Sequence, residues 1–94
     1  MENNRTVTLK ANLRLHHIGN RYMVVESGDN NVDMVNVYTL NESAAWLWEE
    51  ASKGGRTVAK LADGLCAEFD IDRDRALNDV RRQVEEWIEM GLVE

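Results

Sequence analysis

The sequence contains no proline, a single cysteine and few aromatic residues, namely three Trp, two Tyr and one Phe in 94 positions. Without proline, no position is barred from the interior of a helix or a strand. The lone thiol of Cys66 has no disulfide partner within the chain, which excludes a disulfide-stapled fold and is typical of a reducing compartment. Two histidines and one cysteine are also too few for a zinc site of the CxxC type. We therefore expect a fold held by its hydrophobic core, with no metal and no other cofactor.

Long apolar runs and an excess of positive charge are lacking as well. No apolar run approaches the roughly 18 residues of a membrane span, and residues 1–10 have no apolar stretch of the signal-peptide type. Eleven Lys and Arg stand against seventeen Asp and Glu, and the net charge of -6 is a poor match to the phosphates of nucleic acid. These absences predict a cytoplasmic protein that binds neither a membrane nor nucleic acid.

What is present is the composition of one small globular domain, spanning residues 1–94. Hydrophobic residues make up 44% of the chain and charged residues 30%, which is enough for one core under a charged surface but not for two. An enzyme would need a nucleophile with its base, a set of metal ligands or a glycine-rich phosphate loop, and the sequence has none of these motifs. We therefore expect a protein without catalytic activity.

The first forty residues have the pattern of an antiparallel sheet. In residues 8–18, every second position from 9 to 15 is apolar, which puts these side chains on one face of a strand. Gly19 and Asn20 indicate a turn, residues 22–26 a second strand, and residues 32–40 a third. Residues 1–40 thus predict a three-stranded β-meander.

From residue 41 onward the apolar period becomes that of helices. Three residues are suitable N-caps for three successive helices: Asn41, Thr57 and Asp72. Glycines are placed to end the first and third helices: Gly54 with Gly55, and Gly91. Each of the last two helices carries one apolar stripe, formed by Val58, Leu61, Ala62, Leu65, Cys66 and Phe69 in one and by Ala76, Leu77, Val80, Val84, Trp87 and Ile88 in the other. Residues 41–94 thus predict three amphipathic helices.

Together these elements predict an α+β fold. A three-stranded meander cannot bury its apolar face alone, so the three helices must cover it. The short connection between the last two helices also resembles a helix-turn-helix corner. The predicted architecture is therefore a three-stranded antiparallel sheet followed by three helices, similar to a winged helix-turn-helix.

From residue 40 onward, short motifs follow one another in a characteristic order and spacing. They are Leu40-Asn41-Glu42-Ser43-Ala44-Ala45 running to Trp48, then Arg56-Thr57-Val58, Leu61, Leu65, Phe69-Asp70-Ile71, Asp79-Val80 and Gly91-Leu92-Val93. In this order they resemble the PqqD-like family, whose members act as recognition elements for ribosomally made, later modified peptides (RiPPs). The resemblance covers about the last 55 residues, and the three predicted strands fit the same architecture.

The resemblance implies a non-catalytic protein that binds the leader of a precursor peptide and presents it to a modifying enzyme. In the PQQ biosynthesis pathway of the family's namesake, that partner is a radical S-adenosylmethionine (SAM) enzyme. Family members hold the leader between the third strand and the third helix. Carried onto this sequence, the peptide-binding residues would be Val35, Asn36, Val37 and Tyr38 on the strand and Leu77, Arg81 and Val84 on the helix. Arg81 would suit an acidic residue of the leader.

The residues themselves also favour a peptide at the third strand. In a meander this strand lies at an edge, and residues 32–40 contain neither Lys nor Pro, with Asp33 as the one charged residue. An unprotected edge accepts a further strand through main-chain hydrogen bonds, while side chains at alternate positions select the peptide. We therefore expect binding by strand addition.

Two other functions use the same features. A winged-helix DNA-binding protein would share the helix-turn-helix corner, but residues 57–94 carry five Lys or Arg against ten Asp or Glu. A homodimer could form by pairing of two third strands, or by exchange of the N-terminal strands, without any peptide ligand. Of the aromatic residues, Trp48 is the candidate for the core and Trp46 for an interface, whereas His16 and His17 are expected on the surface.

Overall fold

Three antiparallel strands are followed by three helices, which confirms the predicted α+β fold. The computed structural model describes residues 3–26 and 36–94. The elements in chain order are β1 (Leu13–Ile18), β2 (Arg21–Glu26), β3 (Asn36–Leu40), α1 (Glu42–Ser52), α2 (Val58–Phe69) and α3 (Arg73–Glu89). No helix in the described part of the chain is long and apolar enough to cross a membrane.

The strands form one sheet in the order β1-β2-β3, with both pairs antiparallel. Leu15 lies opposite Val24, which in turn lies opposite Tyr38, and these three side chains share the face that packs on the helices. The two-residue turn between β1 and β2 contains Gly19 at a φ of 63°, a left-handed conformation that glycine adopts without strain. The hairpin therefore forms where the sequence indicates a turn.

The first strand is shorter than the sequence predicts. The strand expected over residues 8–18 begins only at Leu13, because residues 11 and 12 form a turn. The preceding residues leave the sheet, and Leu9 instead forms an isolated antiparallel bridge with Val93. The apolar alternation predicted extended backbone correctly from Leu13 onward but wrongly at residues 11 and 12, and it did not identify the partner of Leu9.

All three predicted helix N-caps are confirmed. In each case the side-chain oxygen accepts a hydrogen bond from the backbone N–H three residues later, at 2.8 Å for Asn41, 3.2 Å for Thr57 and 3.1 Å for Asp72. The corner between α2 and α3 is closed by Asp70, which adopts the left-handed conformation. The polar residues at helix starts thus fix the helix boundaries.

The hydrophobic core lies between the sheet and the helices. Helix α1 contacts all three strands, while α2 and α3 pack mainly on each other. Trp48 of α1 and Trp87 of α3 are both buried and meet edge to face, with ring centroids 5.0 Å apart. This pair joins the helix that covers the sheet to the helix at the end of the chain.

Candidate functional site

The outer side of β3 is an open edge of the sheet. Strand β3 pairs with β2 along one side, and no other strand among the described residues pairs with its far side. In an antiparallel strand the N–H and C=O groups of alternate residues point away from the neighbouring strand. As far as residues 3–26 and 36–94 show, the edge therefore presents free backbone donors and acceptors to a further chain.

The side chains of β3 alternate between the two faces of the sheet. Val37 is 53% exposed and lies on the outer face, opposite Val25 of β2. Tyr38 is half-buried on the face that packs on the helices. Asn36 begins the strand opposite Glu26, and the predicted Val35 lies outside the described residues. An added strand would thus meet an exposed valine on one side and a tyrosine on the other.

The three predicted residues of α3 differ in their environment. Leu77 is half-buried at the edge of the core, whereas Val84 is completely buried. The guanidinium group of Arg81 donates hydrogen bonds through Nε and Nη2 to Oδ1 of Asn3, with an Nε to Oδ1 distance of 3.1 Å. This shoulder of α3 therefore faces the N-terminal segment, and Arg81 already has a partner within the chain.

A cleft beside the end of β3 is lined by the other shoulder of α3. It has a volume of about 250 Å³. Asn41 and Ser43, which directly follow β3, line one wall, and Asp79, Gln83 and Glu86 line the other. The sequence did contain a signal for this wall, since positions 79, 83 and 86 follow helical spacing along one stripe. These residues were absent from the predicted site, because the sequence alone does not show which shoulder of α3 turns toward the sheet.

The N-terminal segment packs away from the open edge. The backbone N–H of Val7 donates to the carbonyl of Arg56 at 2.9 Å, and that of Lys10 donates to the carbonyl of Leu92 at 3.1 Å. The segment thus lies between the start of α2 and the residues after α3. None of the described helices or terminal residues covers the free side of β3 with backbone hydrogen bonds.

The arginines of α3 already have partners in the protein. Arg73 forms an ion pair with Asp63 at 2.9 Å, and Arg75 and Arg82 both pair with Asp79. With Arg81 bound to Asn3, each arginine of α3 has an intramolecular partner. These exposed pairs are weak in themselves, but the carboxylates beside the arginines offset the positive charge that a DNA recognition helix needs for phosphates, which disfavours the DNA-binding alternative.

Trp46 and Trp48, the two tryptophans of α1, lie in different environments. Trp48 is 3% exposed, which confirms its place in the core. Trp46 is half-buried rather than exposed, because its ring packs edge to face against Phe69 of α2. His16 and His17 are both exposed, and the ring of His17 stacks on Tyr22 with centroids 4.3 Å apart. Trp46 and His17 belong to a second cleft, separate from the edge of β3.

Comparison with known proteins gives one family and two similar structures. The model of the family described as coenzyme PQQ synthesis protein D (PqqD) matches residues 24–93. No curated protein matches the sequence. The matched range begins in β2 and ends after α3, so it includes the open edge and both shoulders of the last helix.

Both similar structures contain a bound peptide. One is TbiB1 in complex with the TbiA(beta) leader peptide, which is 17% identical to this chain with a TM-score of 0.74, over 93% of this chain and 94% of that one. The other is a lasso peptide synthetase B1 complexed with the leader peptide, 18% identical with a TM-score of 0.75, over 96% of this chain and 99% of that one. At this level of identity the likeness establishes a shared fold over almost the whole length of each chain.

Proposed function

Since the chain belongs to the family of coenzyme PQQ synthesis protein D, we propose that it is a non-catalytic recognition protein that binds the leader of a ribosomally made precursor peptide. The leader adds to the sheet as a fourth strand beside β3. The observation that carries this proposal is the open edge of β3 in a fold shared with two proteins whose structures contain a leader peptide.

The length of β3 limits how much affinity the backbone alone can supply. Five of the described residues belong to β3, and each main-chain hydrogen bond contributes a net stabilisation of about 0.5–1.5 kcal/mol. Ordering a flexible peptide costs about 2–5 kcal/mol or more, which offsets much of this gain. Apolar side chains of the leader must therefore contribute, and Val37 and Tyr38 offer them contacts on opposite faces of the sheet.

The proposed contacts comprise Val35, Asn36, Val37 and Tyr38 on the strand side and Leu77, Arg81 and Val84 on α3. Val84 is buried and would form the floor beneath the peptide rather than a direct contact. Arg81 faces the N-terminal segment, so it would meet the part of the leader that continues past β3. There an acidic side chain would replace Asn3, because a carboxylate accepts a stronger hydrogen bond from a guanidinium group than an amide does.

A bound leader would be presented to the enzyme that modifies the rest of the precursor. We propose a radical SAM enzyme as this partner, on the basis of the family alone. The free thiol of Cys66 is compatible with the reducing cytoplasm, where we place this encounter. A dimer formed through two β3 edges would compete with the leader for the same backbone groups.

The proposal is tested by titrating the ¹⁵N-labelled protein with a synthetic leader from the precursor encoded nearest to its gene. We expect saturable amide shifts in residues 36–40 and along α3, and none with a scrambled peptide of the same composition. Shifts confined to α1 would contradict the proposed placement. Sedimentation with and without the peptide distinguishes leader binding from homodimer formation.

A further inference from the structure

A second cleft, of about 370 Å³, lies under the turn end of the β1–β2 hairpin. Four aromatic side chains contribute to its lining: His17, Tyr22, Trp46 and Phe69. The two rings of the sheet are stacked, with an interplanar angle of 11°, while the two rings of the helices meet edge to face with centroids 6.2 Å apart. The cleft thus has aromatic residues of both the sheet and the helices in its lining.

A glycine in the middle of α2 allows Trp46 to lie in this cleft. A Cβ atom at Gly64 would be 2.6 Å from Cη2 of Trp46 and 3.3 Å from Cζ2. Glycine inside a helix is less favourable than alanine by about 1 kcal/mol, so local helix stability does not explain its presence. The absence of a side chain at Gly64 instead leaves space for the indole ring to pack against the backbone of α2.

Three carboxylates share the lining of the same cleft. They belong to Glu42, Glu49 and Glu68, and all three residues are exposed. No lysine or arginine of the described residues lines the cleft, and none of the ion pairs between described residues involves these three carboxylates. The cleft therefore has uncompensated negative charge beside aromatic rings.

We propose that this cleft binds the guanidinium group of an arginine side chain presented by a partner protein. Aromatic faces attract cations through the ring quadrupole, and tryptophan does so most strongly. A guanidinium group is planar and weakly hydrated, so it can stack on a ring while its N–H groups reach more than one carboxylate. A lysine ammonium group is also attracted to an aromatic face, but it is more strongly hydrated and has no plane with which to stack on a ring.

The lining of the cleft includes no residue of β3, although Tyr22 lies opposite Leu40 at the end of that strand. His17 and Tyr22 lie opposite each other in the β1–β2 pair, whereas the open edge lies on the far side of β3. The cleft is also open to solvent, so one arginine side chain would bind weakly by itself and would add to a larger contact. A partner could thus engage this site while a leader occupies β3.

The test uses the whole protein and follows the indole N–H signals of its three tryptophans by NMR. The probes are the N-acetyl methylamides of arginine, of lysine and of citrulline, which has a similar shape but no charge. We expect the arginine probe to shift the Trp46 signal saturably, with a dissociation constant in about the millimolar range, and to leave Trp48 and Trp87 in place. The lysine probe should bind several-fold more weakly, and the citrulline probe should not bind.

Variants separate a defined site from general attraction to an acidic protein. Glu49→Gln with Glu68→Gln should weaken arginine binding by about ten- to twenty-five-fold, at about three- to fivefold for each carboxylate. The control Glu85→Gln removes one charge from an exposed position of α3 outside the cleft and should change binding by less than about twofold. Gly64→Ala should weaken binding several-fold by displacing Trp46, in a protein shown to be folded by its amide spectrum.

Three results would overturn the proposal. They are equal shifts with citrulline, equal losses in the Glu85 control and the double variant, and no saturable shift of Trp46 up to about 0.1 M arginine probe. None of these results depends on a leader peptide. The outcome is therefore distinguishable from success or failure at the edge of β3.

Discussion

Trp48 of α1 and Trp87 of α3 pack edge to face in the core, at an interplanar angle of 84°. Both rings are almost completely inaccessible, and they come from two helices of which α1 contacts the strands and α3 packs mainly on another helix. Helix α1 lies on the sheet, and α3 packs on α2. The pair therefore couples the stability of the sheet layer to the helix that bounds the proposed peptide groove.

Replacing Trp48 or Trp87 by phenylalanine is expected to destabilise the protein to different extents. Each change leaves a cavity and should lower the free energy of unfolding by about 1–3 kcal/mol. Trp87→Phe should cost less than Trp48→Phe, because Nε1 of Trp87 is buried without a hydrogen-bond partner among the described residues. Urea denaturation of both variants measures the difference, and an equal or larger loss at position 87 would contradict this explanation.

A lysine on the open edge should block strand addition. Val37→Lys places a charge on β3 without loss of core packing, since Val37 is 53% exposed. We expect leader affinity to fall by at least about tenfold. The matched control is Ile18→Lys, because Ile18 is 58% exposed on β1, on the same face of the sheet but at its other edge strand. Isothermal titration should show unchanged affinity in the control, and equal losses in both variants would argue against β3.

The contact between Arg81 and Asn3 gives a test of the proposed groove on α3. Arg81→Ala should lower the affinity for an acidic leader by about five- to tenfold, because a charge-assisted hydrogen bond is lost. Asn3→Ala should instead raise affinity, since it releases the guanidinium group from its present partner. Arg73→Ala serves as the control, because that arginine pairs with Asp63 of α2. An affinity unaffected by Arg81→Ala would place the leader on the opposite shoulder, beside Gln83.

Because Trp46 packs against Gly64, we expect Gly64→Ala to change the free energy of unfolding in opposite directions with and without the Trp46 side chain. Helix propensity alone favours Gly64→Ala by about 1 kcal/mol. In the natural background we expect a loss of stability, because the new Cβ would collide with the indole ring. In a Trp46→Ala background the same change should stabilise the protein. Thermal unfolding of the four proteins gives the coupling energy, and additive effects would mean that the ring moves aside freely.

The sequence was most informative where one residue decides a local structure. Asn41, Thr57 and Asp72 cap the helices as predicted, because an N-cap needs only its own side chain and a backbone N–H three residues later. Leu9 shows the opposite case. The apolar period of two from Leu9 to Leu15 indicated one continuous strand. The backbone of Leu9 instead forms a bridge with Val93, more than eighty positions later in the sequence. Local pattern predicts extended backbone but does not identify a distant partner.

For the proposed peptide site, the sequence predicts the strand that forms it but not the side of α3 that faces it. The open edge follows from strand order and from the lack of Lys and Pro in the segment, both of which can be deduced from the sequence. The orientation of α3 cannot be deduced in this way, because Arg81 and Gln83 flank the buried stripe on its two sides and each is a plausible wall. The N-terminal segment determines the surroundings of Arg81, because Asn3 binds it. This is a contact between residues far apart in the sequence, which a local pattern does not reveal.

The bridge between Leu9 and Val93 also has a consequence for synthesis on the ribosome. Leu9 and Lys10 leave the exit tunnel long before their partners Val93 and Leu92, which are made some eighty positions later. The earlier part of the N-terminal segment can already bond the start of α2, as Val7 does with Arg56, but the backbone of Leu9 must wait for Val93. The sheet and the first helices can form during translation, whereas closure at Val93 is expected to be among the last steps of folding.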